Sequence, residues 1–88
     1  MLFMIIEHYK PNSTQAIYDR FAANGRMLPA GVIYIDSWVL PDGSRCYQLM
    51  EAEHVGQLDE WASHWNDLVD FEYYPVVSSK EMAEKMKG

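Results

Sequence analysis

The order in which hydrophobic periods change along these 88 residues constrains the fold more than any single residue does. Leu2 to Tyr9 alternates like a strand, and the segment from Asn12 to Gly25 repeats its apolar residues at helical spacing. Val32 to Leu40 and Arg45 to Glu51 give two strands around Pro41-Asp42-Gly43-Ser44. A second helix over Glu53 to about Asn66, a strand over Val69 to Val77 and a short helical tail complete the chain.

The resulting βαββαβ order predicts a single α+β domain over residues 1–88 of the ferredoxin-like plan: one four-stranded antiparallel sheet in the order 4-1-3-2, with a short C-terminal helix added. The first strand sharpens this. Alternation puts Phe3, Ile5, Glu7 and Tyr9 on one face and Leu2, Met4, Ile6 and His8 on the other, and both faces are largely apolar. A strand of that kind is central and covered on both sides, so something must cover the face opposite the helices.

Local signals bound the elements. Asn12 with Gln15 three residues on fits an N-cap and its reciprocal partner, Gly25 ends the helix, and Ile17, Phe21 and Ala16 form its buried stripe. In the second helix Val55, Leu58, Trp61, Ala62 and Trp65 recur at spacings of three and four. Pro75 is tolerable only at an edge or strand end, and Ser78 with Glu81 opens the last helix. That helix is too short to be stable alone and must dock on its own domain or on a neighbour.

The hairpin turn predicts a register. Pro41 presets the first turn position and Gly43 supplies a left-handed residue, so Leu40 opposes Ser44, Trp38 pairs with Cys46, Asp36 with Gln48 and Tyr34 with Met50. This puts Ile33, Ile35, Ser37, Val39, Tyr47 and Leu49 towards the helices. The mixed set of aromatic, amide, carboxylate and thiol groups then lies on the open face.

Composition excludes several functions. The net charge is −6 and the seven Lys and Arg are scattered, so neither a nucleic acid nor an anionic membrane has a basic surface to track. Cys46 is the only cysteine, which rules out an intrachain disulfide framework, fits a reducing compartment and reads as a buried thiol. The apolar run Met1 to Ile6 lacks the parts of a signal peptide, and no stretch approaches the roughly 18 apolar residues of a membrane span. A cytoplasmic location is expected.

No cofactor or metal is expected either. GxGxxG, P-loop and nucleophile-elbow patterns are absent, and His8, His54 and His64 lack the spacing of metal ligands. Glu60 and His64 stand one turn apart as ordinary surface neighbours, and Asn12-Ser13-Thr14 reads as a helix cap. Trp61 and Trp65 read as core packing, although a buried indole N–H wants an acceptor and can point at a ligand. Glu51, on the Leu49 face by parity, reads as an acceptor for backbone or Trp N–H groups at the strand-helix junction.

The candidate ligand-binding residues are Tyr34, Asp36, Trp38, Gln48 and His8, polar groups beside aromatics that can orient a small molecule. Asp36, if its carboxyl is raised by an apolar setting, or His8, near neutrality, are the candidate catalytic bases. A polar-lined dimer interface accounts for the same set.

Asp36-Ser37-Trp38, Gln48-Leu49-Met50-Glu51, Asp59-Glu60-Trp61 and the run Trp65-Asn66-Asp67-Leu68-Val69-Asp70-Phe71-Glu72 followed by Pro75-Val76 carry a resemblance. Over nearly its whole length the chain resembles the bacterial domain of unknown function 3303 family, which brings no established activity. More distantly the plan is similar to the dimeric α+β barrel superfamily, where two such sheets pack face to face around a small-molecule space. The resemblance implies a homodimer through the open sheet face, with an aromatic or polyketide-like ligand between the sheets. A cofactor-independent oxygenase or isomerase and a purely structural interaction module are the alternatives.

Overall fold

The computed structural model describes residues 1–88 as β1 (Leu2–Tyr9), α1 (Thr14–Asn24), β2 (Ile33–Val39), β3 (Arg45–Glu51), α2 (Val55–Ala62), β4 (Val69–Val76) and α3 (Ser79–Lys87). The strands form one antiparallel sheet in the order β2-β3-β1-β4, which is the expected 4-1-3-2 read from the other edge. β1 is central, and Pro75 lies on the edge strand β4, where its missing N–H is not needed by a further strand.

Phe3 and Ile5 of β1, Met50 of β3 and Val69 of β4 pack against Ile17 of α1 and Leu58, Trp61 and Ala62 of α2 to form the core, with Trp65 beyond the end of α2. The face opposite carries Met4, Ile6, Tyr47 and Leu49, half-buried, and Trp38, which is 54% exposed. No helix is long and apolar enough to cross a membrane.

Several expectations are corrected. The N-cap of α1 is Ser13, because Asn12 takes a left-handed backbone (φ 61°) that its short polar side chain tolerates. Gln15 bonds to Asp19 instead, Ala16 is exposed, and Phe21 is only part-covered at 39% exposure. Val55 is exposed as well. α2 ends at Ala62, and the chain continues in tighter turns, with His64 N–H on Trp61 O and Trp65 N–H on Ala62 O, that still deliver Trp65 to the core. Ser78 caps α3 as expected, accepting from Glu81 N–H at 3.0 Å, but α3 buries none of its own residues.

The hairpin register differs by one residue. Val39 pairs with Cys46, Trp38 with Tyr47, Ser37 with Gln48 and Asp36 with Leu49, and only beyond an irregularity at Ile35 does Tyr34 pair with Met50. The cause is the loop. Asp42 Oδ1 accepts both the N–H and the hydroxyl of Ser44, at 3.0 and 2.6 Å, so Ser44 is drawn into the turn and Leu40 N–H closes on Arg45 O. Gly43 does take its expected left-handed conformation (φ 73°). The shift turns β3 over: Cys46, Gln48 and Met50 face the helices, and Tyr47 and Leu49 face away. The bulge at Ile35 turns the start of β2 as well, so Tyr34 joins the helix side while Asp36 and Trp38 stay on the open face.

Candidate functional site

The inverted β3 brings polar groups under the helices, where they line a cavity of about 180 Å³. Glu7 and Tyr9 of β1, Cys46 and Gln48 of β3 and Ser37 and Val39 of β2 form its floor. Ile17, Tyr18 and Phe21 of α1, with Trp61 and Trp65, form its walls, and Arg26 reaches it from the loop after α1. A cavity of about 150 Å³ accommodates benzene, so this one accepts a single ring with a few further atoms.

Glu7 is the chemical centre of the cavity. It pairs with Cys46 across β1 and β3, and only 9% of the residue is exposed. Burial raises its carboxyl from the ordinary 4.5 to about 7, against the lowering effects of the Cys46 thiol and the Arg26 charge. The same burial, with the Glu7 charge, pushes the Cys46 thiol up to about 12. Tyr9 is raised too, first by burial and then by its Cys46 and Glu7 neighbours. Gln48 donates to the Met50 thioether at 3.2 Å, a soft acceptor that leaves the amide free to serve a ligand. No side-chain polar atom of the protein is both sealed from solvent and unpartnered, so the oxygens of Glu7 and Gln48 that lack strong partners open onto the cavity.

Arg26 is held from both ends. Its carbonyl oxygen accepts the indole N–H groups of Trp61 and Trp65, at 3.0 Å each, and its guanidinium lies 3.6 Å from the Tyr34 ring centroid and 4.9 Å from that of Phe21. The Tyr34 hydroxyl is fixed in turn by Ser37 Oγ at 2.6 Å.

The five candidate ligand residues therefore do not converge. Gln48 lines the cavity on the helix side, and Tyr34 sits on that side as a platform for Arg26. Asp36 and Trp38 are exposed on the other face, where Asp36 Oδ1 accepts the Ser37 N–H. His8 shares that face with Glu72, to which its Nε2 is bonded, and Glu72 also accepts the Tyr74 hydroxyl. Those two bonds, that of Tyr74 foremost, hold the Glu72 carboxyl below its ordinary value. Both indole N–H groups end on protein and not on a ligand space. Glu51 accepts from the Met1 amino group at 2.6 Å and from no indole.

Glu7, Tyr9, Tyr18 and Arg26 were not among the sequence candidates. One signal was present for Glu7, a carboxylate alternating with Phe3, Ile5 and Tyr9 in a strand expected to be buried on both faces. Arg26 had none, because its partners lie 35 and 39 residues further along the chain.

Residues 1–88 match the family described as Domain of unknown function (DUF3303). The chain belongs to this family. The match spans the cavity-lining residues and the WxxxW-x-DLxDFE segment alike, but the family description assigns none of them a role. No curated protein and no solved structure matches the chain.

Proposed function

We propose that this DUF3303 protein binds a small one-ring molecule in the cavity between its sheet and its helices. The observation that carries this reading is the composition of the cavity, an aromatic and aliphatic wall with a buried carboxyl and a buried amide on its floor. Structural cores seldom leave two such groups beside an opening of this size, since interiors are close-packed and a buried polar group without a partner is costly. Trp61 and Trp65 form part of the wall, so their fluorescence reports occupancy. Titration with benzyl alcohol and with benzamide is expected to give saturable changes, lost in Cys46→Leu, which fills part of the cavity. No saturable response, or an unchanged affinity in Cys46→Leu, would overturn the reading.

Glu7 favours a second, catalytic reading. A carboxyl that exchanges its proton near neutrality inside a ligand cavity is suited to cofactor-independent proton transfer, the role the sequence suggests for Asp36 or His8. Under that reading Glu7→Gln abolishes turnover of a bound substrate while leaving its affinity intact.

We further propose that the chain works as a homodimer through the open sheet face. Met4, Ile6, Tyr47 and Leu49 with exposed Trp38 and Ile33 support this, as does α3, a nine-residue helix none of whose residues is buried in its own domain. Light scattering after size exclusion is expected to give a dimer for the native chain and a monomer for Trp38→Glu. A native monomer at micromolar concentration would sink this part alone.

A further inference from the structure

The ligand cavity contains one fixed cation without an acidic partner. Arg26 enters none of the ion pairs of the molecule and donates no side-chain hydrogen bond, although it lines the cavity and lies against two aromatic rings. Contact with aromatic rings satisfies none of the guanidinium N–H groups, so the fork that receives a carboxylate in two parallel bonds is left without a partner in the protein. The fork is also held in place. Two indole bonds fix the Arg26 backbone and the Tyr34 ring, itself tied to Ser37, fixes the side chain, so little conformational freedom remains to be lost on binding.

The remainder of the cavity selects what the carboxylate is attached to. Trp61, Trp65 and Phe21 present flat apolar surface, and the volume of about 180 Å³ admits one ring. We infer that the ligand is a monocyclic aromatic carboxylate whose acid group sits on the Arg26 fork and whose ring lies among these walls. The inference rests on the small-molecule reading above and names its substrate class.

Glu7 is the obvious objection, since it is a second carboxyl in the same space. Its burial answers the point: the neutral acid is the form the fold favours, so the Arg26 charge is not cancelled below neutral pH. The other groups around Glu7 do not supply a countercharge. β3 presents Cys46 and Gln48, β1 Tyr9 and α1 Tyr18, while α2 and β4 present Trp61 and Val69. Anion binding is therefore coupled to retention of the Glu7 proton, and affinity falls as pH rises past neutrality.

Calorimetric titration of the full chain with benzoate and with benzamide separates the ideas. The carboxylate is expected to bind about 10- to 100-fold more tightly than the amide at pH 6, as charge-assisted bonds allow. Arg26→Gln, which keeps the carbonyl that both indoles need, is expected to erase that preference. Benzoate affinity falls between pH 6 and pH 8 in the native chain and stays level in Glu7→Gln. Benzamide binding with no benzoate preference, or a preference that survives Arg26→Gln, overturns the carboxylate inference and leaves the one-ring reading standing. If neither compound binds, both are overturned, and this comparison needs no variant to fold.

Discussion

Trp61 and Trp65 donate their indole N–H groups to the same acceptor, the carbonyl oxygen of Arg26, at 3.0 Å each. One carbonyl has two lone pairs, so both bonds form without competition. The arrangement ties the connection between α1 and β2 to the end of α2, and it sets the one cation of the cavity against its wall.

This shared acceptor predicts non-additive stability. Trp61→Phe or Trp65→Phe removes a bond and some packing, about 1–2 kcal/mol each, but leaves the carbonyl one donor. The double variant leaves it none in a part-buried site, so its loss is expected to exceed the sum of the single losses by about 1 kcal/mol. Urea unfolding of the four proteins at one fixed concentration measures the excess, and strict additivity would show that the shared carbonyl is satisfied by other means.

Glu7 predicts an unusual pH dependence. Its folded value of about 7 lies above the ordinary 4.5, so between these values the folded chain holds a proton that the unfolded chain has released. Stability from this group therefore falls as pH rises from about 4.5 to about 7, by roughly 3 kcal/mol in total, and is level above and below that window. Glu7→Gln is expected to remove the decline and to exceed the native chain in stability at pH 8. Urea midpoints at pH 5 and pH 8 for both proteins provide the check.

Two glycines with positive φ differ in what surrounds them. A Cβ on Gly43 (φ 73°) would meet Thr14 Cγ2 at 3.5 Å, an ordinary contact, so Gly43→Ala is expected to cost only the left-handed backbone, about 1–2 kcal/mol. On Gly31 (φ 87°) it would meet Gln57 Nε2 at 2.7 Å. That side chain is engaged, accepting from Glu53 and His54 N–H and donating to Ala30 O, so Gly31→Ala costs more. The difference between the two glycine variants is expected to vanish in a Gln57→Ala background, as read by thermal unfolding.

The parts of this fold that depend on nearest neighbours were legible in the residues. The element order, the left-handed Gly43, the Ser78 cap and the Trp61 and Trp65 core positions all follow from spacing within a few residues. The candidate site was not, because it depends on parity. Ser44 joining the Asp42 turn moved the hairpin by one residue, and no local pattern marks Ile35 as the place where β2 recovers. One residue of shift carried Gln48 and Cys46 from the expected open face to the cavity. Arg26 illustrates the other limit, since its role is created by contacts with Trp61, Trp65 and Tyr34 that only the folded chain brings together.

Cys46 tests how closed the cavity floor is. Its thiol is buried and pushed from an ordinary 9.0 to about 12, first by burial and then by the Glu7 charge. At pH 8 the thiolate fraction is then lower by a factor on the order of a thousand than for a free thiol, and the thiolate is the reacting form. Native protein is accordingly expected to react with an aromatic disulfide reagent only about as fast as it opens, whereas the urea-unfolded chain reacts at once. Glu7→Gln removes a charge that opposes the thiolate, so it is expected to raise the native rate without bringing it near the unfolded one. Because burial is the larger cause, a native rate equal to the unfolded rate would mean that Cys46 meets bulk solvent, and Glu7 beside it could not then hold its proton to neutral pH.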